Sequence, residues 1–187
     1  RPRTHFQRGV MLARAGFMKE AQEELNDGAR FSEDDPTYLD VTASMAARLD
    51  MYLFAMTTAR RALAKTNSSD ARARLWRYVY ALGHYDLIGP AAETNGLDPM
   101  LVSALIRQES LFAARAVSRA GARGLMQLML PTARQVARSR SEPAPTADDL
   151  FRPEISVRYG THYLREKLAE FGDRVDAALA AYNAGEG

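Results

Sequence analysis

The sequence contains no cysteine, which excludes thiol nucleophiles, iron–sulfur clusters and thiolate zinc sites. The same absence leaves the redox compartment open, because a cysteine-free chain suits cytosol and periplasm alike. No apolar run approaches the roughly eighteen residues of a membrane-spanning helix. Lysine is nearly absent: only Lys19, Lys65 and Lys167 occur, leaving 22 arginines among 25 basic residues against 23 acids. Arginine suits phosphate, but these arginines are scattered among acids with no run of four, so no nucleic-acid footprint forms. The three histidines, His5, His84 and His162, have no metal-ligand spacing, and there is no phosphate loop or nucleophile-elbow serine. No segment of convincing length alternates with a strand period, so the fold class is all-α.

What the chain does have is 187 residues, 47% of them hydrophobic, enough for one domain or two small ones. Residues 4–64 read as mainly helical. Gly9, Leu12, Gly16, Ala21, Leu25 and Gly28 are matched, 34 residues later, by Ala43, Ala46, Asp50, Ala55, Ala59 and Ala62. A 34-residue period with small residues where paired helices touch is tetratricopeptide-type spacing; a plain stack of antiparallel helices fits equally. The polar stretch Lys65–Asp70 breaks the pattern, giving a helical-repeat fragment over 1–70 and a second region over 71–187. Helices are expected over 71–84, 85–94, from Pro99 with a break by Ala113–Ala116, from Pro131 to about Ser139, from Pro153 to about Phe171 with Ile155, Tyr159, Tyr163, Leu164 and Leu168 inward, and up to Ala184. Asp98 is a cap before Pro99, and Asp173 a cap for the last helix. The chain opens on Arg1-Pro-Arg3 with no apolar signal segment. It closes on Ala184-Gly-Glu-Gly187, directly after a helix pattern, so the second region is expected to be truncated at its C-terminal end.

Glu109 is the first candidate for chemistry. It lies three residues past Ile106 and seven past Val102, sharing their helical face. A carboxylate there either points out beside the apolar stripe or is partly desolvated; desolvation favours the neutral acid, the form a general acid needs. Beyond it comes the glycine-punctuated segment Ser118-Arg-Ala-Gly-Ala-Arg-Gly124, and then Gln127, whose amide suits sugar hydroxyls or acetamido groups. Tyr182 and Asn183 place a phenol and an amide together at a helix end, where they serve either a carbohydrate cleft or a core edge with a helix cap.

Arg107-Gln-Glu-Ser110, Gly124-Leu-Met-Gln127 and Ala181-Tyr-Asn-Ala-Gly185, in this order, resemble the soluble lytic murein transglycosylase family. Tyr159-Gly-Thr-His-Tyr-Leu164 and the stretch from Tyr85-Asp-Leu-Ile to Asn95-Gly-Leu-Asp-Pro99 are also similar to it. The resemblance runs from about residue 78 to the end. It implies a lysozyme-like transglycosylase domain, preceded over residues 1–70 by the tail of an α-superhelical region. It further implies cleavage of the β-1,4 bond between N-acetylmuramic acid and N-acetylglucosamine, with Glu109 as acid and then base. Ser118, Gln127, Met129, Thr132, Tyr182 and Asn183 fall at cleft-lining positions, and Ser110 supports the acid. Met126 is read as core. One departure stands out: the family's Met-Pro-x-Thr is here Met129-Leu-Pro-Thr132, which moves the proline but keeps Thr132 in place.

The other acids near the motifs, Asp148, Asp149, Glu154 and Glu186, sit in loops or at helix ends without apolar support. A single acid suffices if the substrate supplies the nucleophile; the resemblance implies that the muramic acid 6-hydroxyl does so, closing a 1,6-anhydro ring, and that no metal and no cofactor are required. The expected partners are peptidoglycan glycan strands, and cell-wall machinery through the N-terminal helices; the expected location is the periplasm, where that substrate lies. A lysozyme-type hydrolase of the same bond and a non-catalytic helical scaffold are the alternatives.

Overall fold

A computed structural model describes residues 1–80 and 82–184. Among these residues the chain is all-α: ten α-helices, one short 3-10 turn and two isolated β-bridges. The helices fall into two compact units, Arg1–Gly83 and His84–Gly187.

The first unit holds α1 (Pro2–Arg14), α2 (Met18–Phe31), α3 (Pro36–Arg48), α4 (Tyr52–Leu63) and α5 (Ser69–Val79). Helix α1 packs on α2, and α3 on α4. The 34-residue correspondence marks the contact faces: Ala21 and Leu25 are fully buried, as are Ala43, Ala46, Ala55, Ala59 and Ala62. A Cβ at Gly9 would lie 2.7 Å from Leu25 Cγ, so only glycine lets α1 approach α2 this closely. Between the paired helices Gly16 has φ +87° and Asp50 φ +57°, so the aspartate adopts the left-handed turn that the glycine makes one period earlier. Pro36 opens α3 behind Asp35, whose carboxylate accepts from Tyr38 N at 2.8 Å.

Helix α5 belongs to this unit, which moves the division from residues 70/71 to 83/84. The cause is burial. Leu75 and Val79 share one apolar cluster with Ala29, Leu39, Ala43, Ala59 and Ala62, so α5 covers a face that α3 and α4 would otherwise expose. The polar stretch is a connection inside this unit that ends at Ser68, which caps α5, and Ser69 and Asp70 already belong to that helix.

The second unit holds α6 (Tyr85–Thr94), α7 (Pro99–Ser110), α8 (Leu130–Ser139), the 3-10 turn Asp149–Phe151, α9 (Pro153–Glu170) and α10 (Val175–Ala184). Helix α9 is the centre, packing on α6, α8, α10 and the 3-10 turn. Its buried side chains run from Ser156 to Leu168. Asp98 caps α7 as expected, accepting from Met100 N at 2.7 Å, and Pro99 takes the first helical position. Asn95 Nδ2 donates to Thr161 Oγ1 at 3.1 Å, joining the end of α6 to α9. The proline-containing loop after α8 is pinned through Glu142, which accepts from Arg140 Nε and from the Tyr159 hydroxyl and pairs with Arg158.

Helix α7 stops at Ser110, ahead of the expected break by Ala113–Ala116, because Leu111 and Phe112 are both left-handed, at φ +52° and +61°. One local expectation changes. Asp173, read as a cap for the last helix, pairs instead with Arg165. Gly185 and Glu186 lie outside the described residues.

Candidate active site

Glu109 sits in the last turn of α7. Val102, Leu105 and Ile106 bury the apolar side of that helix and fix its rotation. Within this packing Glu109 Oε1 is buried and has no hydrogen-bond partner. Desolvation therefore pushes the carboxyl above the ordinary glutamate range. The C-terminal end of a helix dipole acts in the same direction, since it disfavours negative charge. The open choice between an outward and a desolvated carboxylate is thereby decided for desolvation.

Glu109 lies on the wall of a cavity of about 520 Å³ within the second unit. Ser118, Gln127, Met129, Thr132, Tyr182 and Asn183 all line that cavity, so the residues carried over from separate motifs meet in one place. Ser110 stands behind the wall, buried. Its hydroxyl donates to Leu125 O at 2.8 Å, with Ile106 O sharing the same proton at 3.1 Å.

The segment between α7 and α8 is a tight knot. Arg123 forms antiparallel bridges with Val117 on one side and Leu128 on the other. Ser118 Oγ accepts from Ala122 N at 3.0 Å, closing the turn at Gly121. Gly124 has φ +79°, and a Cβ there would fall 1.9 Å from Leu150 O, so no other residue fits. Arg115 and Arg123 both lie over the Phe151 ring, and Arg123 pairs with Asp148; they are thus anchored at the 3-10 turn.

The hydrogen bonds revise what the amides contribute. Gln127 Nε2 donates to Ala116 O at 3.2 Å and to Gly124 O at 2.9 Å, so this nitrogen braces the knot. Gln127 also lines the cavity, and with both amide protons engaged its side chain can serve a ligand only as an acceptor. Asn183 Nδ2 likewise donates to Leu179 O at 3.1 Å. Tyr182 is almost fully buried, and its hydroxyl donates to Met126 O at 2.8 Å. Burial, with the charge of Glu109 and Tyr163 nearby, raises the Tyr182 phenol well above its usual range.

Sequence reasoning missed Tyr163 and Gln135, which also line the cavity, and Ser156, which holds the wall from behind. Tyr163 was read as an inward core position of α9, which it is, since its ring packs 5.2 Å from that of Tyr182. Helical spacing does not separate a core tyrosine from one whose edge meets a cavity. Gln135 lies three residues past Thr132 on α8, a spacing that would have flagged it. Met126 is fully buried, as expected of core. Among the described residues there is no cluster of three or more potential metal ligands.

Known proteins share this arrangement of sequence and fold. Residues 86–187 match the family described as Transglycosylase SLT domain. The membrane-bound lytic murein transglycosylase F of Alcanivorax borkumensis is 41% identical over 108 residues, which are 54% of this chain and 21% of that protein. The soluble lytic murein transglycosylase of Salmonella typhimurium is 33% identical over 118 residues, 61% of this chain and 18% of that protein. The chain thus spans about a fifth of the length of these relatives. Among solved structures, the lytic transglycosylase Slt of Pseudomonas aeruginosa is similar over 99% of this chain and 31% of its own. The TM-score is 0.73 at 27% identity, and that protein was solved as an inactive glutamate-to-glutamine mutant.

Proposed function

The chain belongs to the transglycosylase SLT domain family, and from that premise we propose that it is a peptidoglycan lytic transglycosylase working through one carboxyl group. Its substrate is the glycan strand of murein, cut at the β-1,4 bond between N-acetylmuramic acid and N-acetylglucosamine. The observation that carries the reading is Glu109 itself: a desolvated carboxyl, its buried oxygen without a partner, on the wall of a cavity whose other described lining residues have neutral side chains.

The steps are set by that environment. Desolvation keeps Glu109 protonated toward higher pH, so it can donate to the glycosidic oxygen as the bond to C1 breaks. The resulting carboxylate then takes the proton of the muramic acid 6-hydroxyl. That oxygen attacks C1, closes a 1,6-anhydro ring and returns Glu109 to its acid form. The leaving sugar keeps the first proton, so the step neither consumes nor releases water.

A glycosidase that activates water or forms a covalent intermediate places a second carboxylate across the bond. Glu109 is the one carboxylate among the described lining residues. Asp148 pairs with Arg123, Asp149 accepts from Thr146, and Glu154 pairs with Arg152, all away from the cavity. This favours the intramolecular route over the lysozyme-type hydrolysis.

Tyr182, Gln127, Met129, Thr132, Ser118 and Asn183 form the sugar-facing wall in this reading, and Ser110 holds the acid's helix to that wall. The site of action is the periplasm, and the helices of the first unit are the surface for cell-wall machinery. Among the described residues no helix is long and apolar enough to cross a membrane.

Mass spectrometry of products from purified murein tests the reaction. The expected products end in 1,6-anhydro-N-acetylmuramic acid, one water lighter than hydrolysed ends. Products of the hydrated mass overturn the intramolecular step.

A further inference from the structure

Met126 is the residue on which the cavity wall is hung. Ser156, fully buried on α9, accepts its N–H through Oγ at 3.1 Å. Tyr182, on α10, donates to its carbonyl oxygen at 2.8 Å. Gly160, one turn beyond Ser156, leaves room for its side chain: a Cβ there would sit 2.3 Å from the methionine sulfur. Side chains of two helices thereby fix the peptide groups on both sides of one residue.

The next three residues give these tethers their importance. Gln127 is left-handed at φ +48°, a conformation that a non-glycine residue enters at a cost and keeps only where its neighbours hold it. Gln127, Leu128 and Met129 line the cavity in succession. A shift of the 126 peptide therefore moves three successive wall residues together. Glu109 stands on α7 and is joined to the knot one residue earlier, through Ser110 and Leu125.

We propose that Ser156 is a positioning residue for glycan binding, setting the register of the 127–129 wall through its hydrogen bond to Met126 N. It touches no substrate. Its loss leaves a buried backbone donor without a partner, and the turn relaxes toward another arrangement to satisfy it. Because the tether holds the wall and not α7, the consequence falls on affinity and not on the proton of Glu109. The assignment rests on the reading of the cavity as a glycan site.

The test compares calorimetric binding of soluble glycan fragments, alternating N-acetylglucosamine and N-acetylmuramic acid, to Glu109→Gln and to Glu109→Gln with Ser156→Ala. The dissociation constant is expected to rise about tenfold, a loss of about 1.4 kcal/mol. In the active protein, Ser156→Ala is expected to raise KM by a similar factor, with kcat within about twofold and an unchanged pH profile. A purely structural role would lower the melting temperature and the active fraction, yet leave the dissociation constant of the folded fraction alone.

Ser156→Cys keeps the side chain's size with a weaker acceptor and decides the matter where Ser156→Ala does not fold. It is expected to weaken binding in the same direction by a smaller factor. Unchanged affinity in folded Ser156→Ala, or in Ser156→Cys where that is the variant measured, overturns the assignment while the glycan reading stands. If the parent protein neither binds nor cleaves the fragments, the glycan reading falls and the assignment falls with it.

Discussion

The hydroxyl of Ser110 donates to the carbonyl oxygen of Leu125 at 2.8 Å, joining α7 one residue after Glu109 to the cavity wall two residues before Gln127. A buried side chain therefore ties the acid's helix to the wall. Ser110→Ala is expected to destabilise the protein by about 1–3 kcal/mol, the cost of an unpaired buried acceptor. It is expected to lower turnover of purified murein at least several-fold at a temperature where the variant is fully folded. Thermal denaturation and a turnover assay on the same sample check both parts.

Gly124 and Gly121 are both left-handed, at φ +79° and +90°, but only Gly124 is enclosed. A Cβ at Gly124 meets Leu150 O and Ser156 Oγ, whereas at Gly121 nothing lies within 4 Å. Gly121→Ala carries the conformational cost alone, about 1–2 kcal/mol. Gly124→Ala adds a collision with backbone and is expected to exceed about 4 kcal/mol or to prevent folding. Denaturant unfolding of the two variants measures the difference. Equal losses would show that the Gly124 surroundings give way.

Burial raises the Glu109 carboxyl, so the folded protein holds that proton more tightly than the unfolded chain does. This difference sets the sign of the linkage. Below the unfolded carboxylate range, about pH 4, Glu109 is neutral in both states and costs nothing. As pH rises from there through the raised folded value, the desolvated charge makes stability fall, and above that value the loss is constant. Glu109→Gln removes the charge, so it is expected to melt above the wild type at pH 7 and together with it at pH 3. Activity is expected to decline as pH rises through the same raised value, since the reaction starts from the acid form.

The sequence was most legible where one short segment carries the whole cause. Asp98 and Pro99 start α7 through contacts made within three residues, and the helix begins where the residues say. The stop of α7 was legible only to within a few residues, because Leu111 and Phe112 take left-handed conformations without a glycine to announce them. Fragment and domain were divided too early, because the partners that bury Leu75 and Val79 lie up to fifty residues back along the chain.

At the site, the types of residue were readable and their directions were not. The sequence put Gln127 at the cavity but could not show that its nitrogen turns away to Ala116 and Gly124. It put Glu109 on the apolar face of α7, whereas the isolation of Oε1 depends on neighbours that a helical wheel does not contain. Ser156 carries no signal of its own. A serine within a helix becomes a tether only when a distant turn brings Met126 N to it.

The proposed chemistry depends most on Glu109 as the only proton donor and acceptor in the reaction. The direct measurement is turnover of purified murein by Glu109→Gln, monitored as released soluble products beside wild type, with the melting curve recorded on the same preparation. A folded variant with no product above background is the predicted result. A folded variant that still releases anhydro-ended products at a rate near wild type would contradict that role.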